Sequence, residues 1–266
     1  MSLPPIQWFP GHMAAAMRDV ARRLESVDVV VEVRDARLPL TSANPALAAL
    51  IGRREHLLVL AKEDLAEPDL TARWIARLTR GGLRTVAVHG KEQRSVQRLQ
   101  RLLSAAGGGR PSVRAMVLGI PNVGKSSVIN GLLRRAAAKT EDRPGVTRDL
   151  RWFRVSPRLE LMDTPGVLVP KIDTPEAQWK LALCGAVPME RFDLEAVIAS
   201  FGAWLTAHPG HALAATDLTA FAVARGCVRR GGLPDLERAA TIFLRDFNQG
   251  KLGRFTLDLP DEAEAP

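Results

Sequence analysis

The chain has 266 residues, 46% of them apolar and 25% charged, which suits about two domains with ordinary buried cores and excludes global disorder. Its net charge of +8 rests on Arg far more than Lys and suits either a nucleic-acid partner or a solvated basic surface. No apolar run approaches the roughly 20 residues needed to cross a bilayer, and Met1–Ile6 lacks a secretory pattern, so the expectation is a cytoplasmic protein without a membrane partner.

In chain order, Met13, Met17, Val20, Ala21 and Leu24 form a helical stripe, and Asp28–Val33 is a β-branched run that reads as a strand. Ala43–Ile51 reads as a helix, Leu57–Leu60 as a buried strand, Leu70–Thr79 as a helix stopped by Gly81-Gly82, Thr85–Val88 as a strand and Val96–Leu103 as a helix. Strands alternating with helices predict a parallel sheet with crossover helices. Ala105–Pro111 is Gly-rich and reads as a connector. The apolar strand Val113–Leu118 follows, then Gly119-Ile120-Pro121-Asn122-Val123-Gly124-Lys125-Ser126, then a helix over Ser127–Leu133. Leu150–Val155 and Arg158–Met162 read as two more strands, the second ending at Asp163-Thr164-Pro165-Gly166. From Pro175 onward the strand signal disappears; Leu194–Leu205, Leu218–Arg225 and Asp235–Phe247 read as helices, the last with a Leu236, Ala239, Ala240, Phe243, Leu244, Phe247 face. The boundaries are 1–174 for an α/β domain, 175–260 for a helical domain and 261–266 for a disordered acidic tail. Cys184 and Cys227 lack zinc spacing and read as reduced, buried thiols.

The Gly119–Ser126 pattern between strand and helix is a phosphate loop. Its glycines let backbone N–H groups face phosphates, and the following helix N-terminus favours their charge. Asn122, Val123, Gly124, Lys125, Ser126 and Ser127 are the candidate phosphate contacts, with Lys125 reaching the β- and γ-phosphates and Ser126 ligating Mg²⁺. Asp163, ending a strand, suits Mg²⁺ through water, and the Gly166 N–H suits the γ-phosphate. Thr147 is the candidate switch hydroxyl for the Mg²⁺ shell, or else a turn threonine. Guanine reading needs Asn-Lys-x-Asp after a strand; Ala61-Lys62-Glu63-Asp64 keeps Lys62 and Asp64 but not the Asn. The next strand ends in His89-Gly90, where Gly90 can offer its N–H to guanine O6. The guanine-reading elements thus precede the phosphate-binding ones. Rotating that order restores a mostly parallel six-stranded GTPase sheet, so the fold expected is a circularly permuted phosphate-loop GTPase domain with a smaller helical domain.

Ile6-Gln7-Trp8-Phe9-Pro10-Gly11-His12-Met13, Asp28–Pro39, Asp163–Lys171 and Arg225–Gly232 resemble the corresponding segments of the bacterial ribosome-biogenesis GTPase A (YlqF-like) family, and the resemblance runs from about Ile6 to Leu257. It implies a GTPase acting in late assembly of the large ribosomal subunit, binding rRNA and pre-ribosomal particles. Val167 stands where many GTPases carry a water-orienting Gln, and the resemblance implies that an apolar residue is normal there. Hydrolysis is then expected to be slow alone. Asn122 suits a K⁺ ion beside the phosphates, or else simply its turn. His12 suits water positioning, or else a helix N-terminus. Arg225, Arg229, Arg230, Arg245 and Lys251 are the candidate RNA contacts, against a solvated face as the alternative. The ligands expected are GTP or GDP with Mg²⁺, and the protein is expected to be monomeric. The rival readings are a nucleotide-gated RNA-binding scaffold and an ATP-dependent kinase, the second disfavoured by Asp64.

Overall fold

The computed structural model describes residues 11–52, 54–137, 151–164, 172, 174–209 and 217–261. Helix α1 (Gly11–Arg23) leads to β1 (Val29–Asp35), α2 (Pro45–Ile51), β2 (Glu55–Ala61), α3 (Pro68–Arg80), β3 (Arg84–Val88) and α4 (Gln93–Ala106). Then come β4 (Val113–Leu118), α5 (Lys125–Ala137), β5 (Arg151–Ser156) and β6 (Leu159–Asp163), followed by helices α6 (Pro175–Leu183), α7 (Leu194–Ala207), α8 (Leu218–Ala224) and α9 (Leu236–Asn248).

The sheet order is β3-β2-β1-β4-β6-β5, parallel except for the antiparallel edge strand β5. Counted from β4 as the first strand, that order reads sixth, fifth, fourth, first, third, second, which is the rotated GTPase sheet the motif order demands. Every residue of β1 is buried, as expected for a central parallel strand covered on both faces. On one face Val30, Met116 and Met162 pack against α1 and α2, and Leu58, Leu60 and Ala87 pack against Trp74 and Leu78 of α3. On the other face Val31, Val59, Val117 and Leu161 pack against α4 and α5. That second cluster is continuous with the core of the C-terminal helices, where Phe201 lies 5.3 Å from the rings of both Phe247 and Phe255.

The connector after α4 is a turn with Gly108 and Gly109 at φ 59° and 83°, anchored where Arg110 pairs with Asp28. The C-terminal helices start on side-chain caps that satisfy orphan N–H groups: Thr174, Asp193, Asp217 and Asp235. Helix α6 carries no sequence signal of the usual kind, because Gln178 to Leu183 are all buried and no one-sided stripe exists. Both cysteines are free and buried, and burial pushes the Cys184 thiol up to about 12. After α9 the chain returns to the sheet. Leu257 N donates to Arg37 O at 2.8 Å, and the Asp258 carboxylate accepts from Leu40 N, Thr41 N and Thr41 Oγ1.

Candidate nucleotide-binding site

The C-terminal ends of β1, β2, β3, β4 and β6 share one edge of the sheet, where open α/β sheets bind ligands. The phosphate loop leaves β4 at Gly119, whose φ is 151° and whose added Cβ would lie 2.4 Å from Val33 O. Asn122 follows at φ 58° and Gly124 at φ 108°. Such left-handed residues turn successive N–H groups to one side and form an anion-binding nest. Val123 is buried beneath the loop, while Ser126 and Ser127 stand exposed on the first turn of α5. Lys125 folds back into the loop, its Nζ donating to Gly119 O at 3.1 Å and Ile120 O at 2.7 Å. Burial pushes its pKa down to about 8; Asp163 opposes that shift and Lys62 adds to it. Asp163 itself is buried at the end of β6, and the next residue secures that end, Thr164 Oγ1 donating to Val117 O at 2.6 Å.

The turn predicted to read the base approaches from β2. Ala61 is buried, and a Cβ on Gly124 would come within 3.0 Å of its methyl, so this turn rests directly on the phosphate loop. Lys62 adopts φ 60°, and its Nζ donates to Asp35 Oδ2 at 2.7 Å. The Asp64 carboxylate, partly exposed, lies 3.6 Å from His89 Nε2. Gly90 is pressed against the start of α5, where an added Cβ would stand 2.8 Å from the Ser127 carbonyl. These groups enclose a cavity of about 520 Å³ lined by Lys62, Asp64, His89, Gly90, Gly124 and Ser127 on the G-domain side. That size suits a nucleotide. The structure thus brings together the predicted Lys62, Asp64, Gly90 and phosphate-loop residues. Thr147 and Gly166 lie outside the described residues, and His12 falls on the first turn of α1, where only the backbone is described.

A family model described as 50S ribosome-binding GTPase matches residues 114–195. Ribosome biogenesis GTPase A of Priestia megaterium is 36% identical, covering 98% of this chain and 99% of that protein. The protein of the same name from Thermotoga maritima is 33% identical, with 97% and 95% covered. Mouse mitochondrial ribosome-associated GTPase 1 is 34% identical, with 95% and 90% covered. The GNP-bound YlqF of T. maritima superposes with a TM-score of 0.71 at 28% identity, covering 94% of this chain and all of that one. The chain belongs to the ribosome biogenesis GTPase A family.

The GTPase carries two features of the site that its motifs did not announce. Asn122 Nδ2 donates to Gly185 O at 2.7 Å, joining the phosphate loop to the turn after α6. A buried ionic chain also starts at Lys62. Asp35 receives Lys62 on one side and the Arg37 guanidinium on the other, at 3.0 and 2.8 Å. Burial alone would raise the Asp35 pKa, but the two cations overcome it and hold the carboxyl well below the usual range. Arg37 reaches on to Asn248 Oδ1 at 3.2 Å and lies over the Phe247 ring. The only sequence hint was two charged residues, Asp35 and Arg37, placed beside buried apolar runs.

The candidate RNA contacts of the GTPase lie in the helical part. Arg225 Nη2 is 2.8 Å from the buried Asp246, to which Arg245 and Lys251 also point, at 3.9 and 3.5 Å. Arg229 is 3.3 Å from Asp235, and Arg230 is exposed beside it. Arg225, Arg229 and Arg245 each keep an exposed guanidinium while paired. Lys251 lies on the cavity wall, together with Asn248 and Gln249.

Proposed function

We propose that this protein is a GTP-hydrolysing assembly factor for the large ribosomal subunit that binds rRNA and pre-ribosomal particles according to its nucleotide state. The observation that carries the reading is the meeting of Asp64 and Gly124 in one cavity, although their motifs occur in inverted order along the chain. A carboxylate there accepts from the guanine N1 and N2 donors, which adenine lacks, and the adjacent nest takes the phosphates. The relatives named for ribosome biogenesis, or for the mitochondrial ribosome, supply the setting.

Ser126 and Asp163 offer the hard oxygens that Mg²⁺ prefers, one on the first turn of α5 and one on the end of β6, and Thr147 completes the set. When bound, Mg²⁺ draws charge from the phosphate oxygens. Lys125 gives its ammonium to the developing charge, the Gly166 N–H meets the γ-phosphate, and His12 positions water in place of the Gln that Val167 replaces. The Asn122 amide oxygen suits K⁺, its Nδ2 being held by Gly185. Residues 1–174 are the catalytic unit and 175–260 the RNA-binding unit, where Arg225, Arg229, Arg230 and Arg245 meet the phosphate backbone. Among the described residues no helix is long and apolar enough to cross a membrane; the working place is the cytoplasm, and the working form a monomer.

The test measures phosphate release with and without large-subunit precursors, and co-sedimentation with the particles in GDP and in a non-hydrolysable GTP analogue. Stimulated release and analogue-dependent binding are expected. Binding indifferent to nucleotide would refute the reading, and binding without stimulation would favour a scaffold.

A further inference from the structure

One wall of the cavity comes from outside the G-domain strands and loops. Asn248, Gln249 and Lys251, at and beyond the end of α9, face the same space as Lys62, Asp64 and Gly124. The fit is close. Gly250, at φ 73°, sits where an added Cβ would come within 2.8 Å of Leu65 Cδ2. The junction is pinned beside it: Phe255 N donates to Leu65 O at 3.0 Å, Glu67 N to Thr256 Oγ1 at 3.1 Å, and Thr256 N to Glu67 Oε2 at 3.1 Å. Asn248 is saturated, accepting from Arg37 and donating to Leu183 O and Leu244 O. Lys251 is different. Its side chain is 54% exposed, and its nearest acid, Asp246, is already held by Arg225 at 2.8 Å. The ammonium makes only a long bond to Asp246, at 3.5 Å, and its residue lines a cavity whose guest would carry oxygen acceptors.

We propose that Lys251 is a nucleotide-binding residue supplied by the helical unit, its ammonium donating a hydrogen bond to an oxygen of the base or ribose of the bound guanine nucleotide. The inference rests on the guanine-nucleotide reading of this cavity and adds a consequence to it. Nucleotide occupancy is sensed directly by the unit that carries the Arg225–Arg230 surface, through the turn after α9. The contact also sets Lys251 apart from Arg229 and Arg230, which do not line the cavity.

The experiment is titration of full-length protein with a fluorescent GDP analogue, for the parent, Lys251→Met and Lys251→Arg. Methionine keeps the aliphatic stem and removes the charge. Lys251→Met is expected to weaken GDP about tenfold, as for a lost charge-assisted hydrogen bond, and Lys251→Arg to recover most of it. The nucleotide-free melting temperature of Lys251→Met should match the parent while its GDP-induced rise shrinks. GDP affinity within twofold of the parent overturns the proposal, and so does a nucleotide-free melting temperature lowered in step with affinity. Asp64→Asn in the same assay separates two failures. If Asp64→Asn abolishes guanine preference and Lys251→Met is silent, only the Lys251 contact falls. If guanine preference survives Asp64→Asn, the cavity assignment falls with it.

Discussion

The depressed pKa of the buried Lys125 ammonium predicts that nucleotide binding takes up a proton. The ammonium is buried, donates to the Gly119 and Ile120 carbonyls and has Asp163 near it, yet burial pushes its pKa down to about 8. Phosphates placed in the nest would raise the value, because anions stabilise the charged form. The sign follows. Below pH 8 the empty site already holds the proton and binding takes up little; above pH 8 binding must recruit it, so affinity falls as pH rises. With a value of about 8, uptake is about 0.1 proton at pH 7 and about 0.5 at pH 8, and GDP affinity drops about fourfold between pH 7 and about pH 8.5. Calorimetric titration with GDP in buffers of different ionisation enthalpy gives the proton count directly. The window stops short of the range where guanine loses its own N1 proton. Lys125→Arg, which cannot lose its proton there, should bind with little pH dependence. Proton release, or parent affinity flat across the window, would show that the buried ammonium is not what the phosphates meet.

Asp64→Asn should weaken GTP more than tenfold, about 2 kcal/mol for a lost charged pair, and improve xanthosine triphosphate relative to the parent; competition binding of both nucleotides decides it. Replacing Ala61, whose methyl would lie 3.0 Å from a Cβ added at Gly124, with Asn should tighten GDP about fivefold through new polar contacts, and a loss would show that another group fills that place. Arg229→Ala with Arg230→Ala should lower the salt slope of particle binding by about two, an unchanged slope refuting phosphate contact. Arg37→Met should cost about 3–5 kcal/mol of stability by leaving the buried Asp35 with Lys62 as its one charged partner beside the backbone N–H of residue 37, read from urea midpoints; a change below 1 kcal/mol would mean that Arg37 contributes no more than a surface pair.

The alternation of strands and helices was legible because β1, β2 and β4 are apolar runs bounded by turns, and the inverted motif order gave the sheet order with them. The phosphate loop was legible because its backbone demands fix residue types, Gly119 and Gly124 above all. Helix α6 was not, since Lys180 is buried by pairing with Glu176 and Asp258 and leaves no polar face to mark a surface helix. The basic stretch from Arg225 to Lys251 reads as free positive charge until Asp235 and Asp246, present in the same stretch, are seen as partners. The bond from Asn122 to Gly185 spans 63 residues, and nothing local encodes it. The returning segment Phe255–Asp258 lacks any periodicity, because its work is done by single hydrogen bonds to Leu65, Glu67, Arg37 and Thr41.

The permuted order also sets a schedule for synthesis. The strands β1, β2 and β3 emerge first and are neighbours in the sheet, so the base-reading half can assemble while the phosphate loop is still untranslated. β4 then adds to the open side of β1. The segment 255–258, which fastens the predicted base-reading turn at Leu65 and Glu67, follows every described helix and strand. A chain stalled after α5 therefore owns a phosphate loop but no finished pocket. The wall formed by Asn248, Gln249 and Lys251 is thus the last part of the pocket to be made.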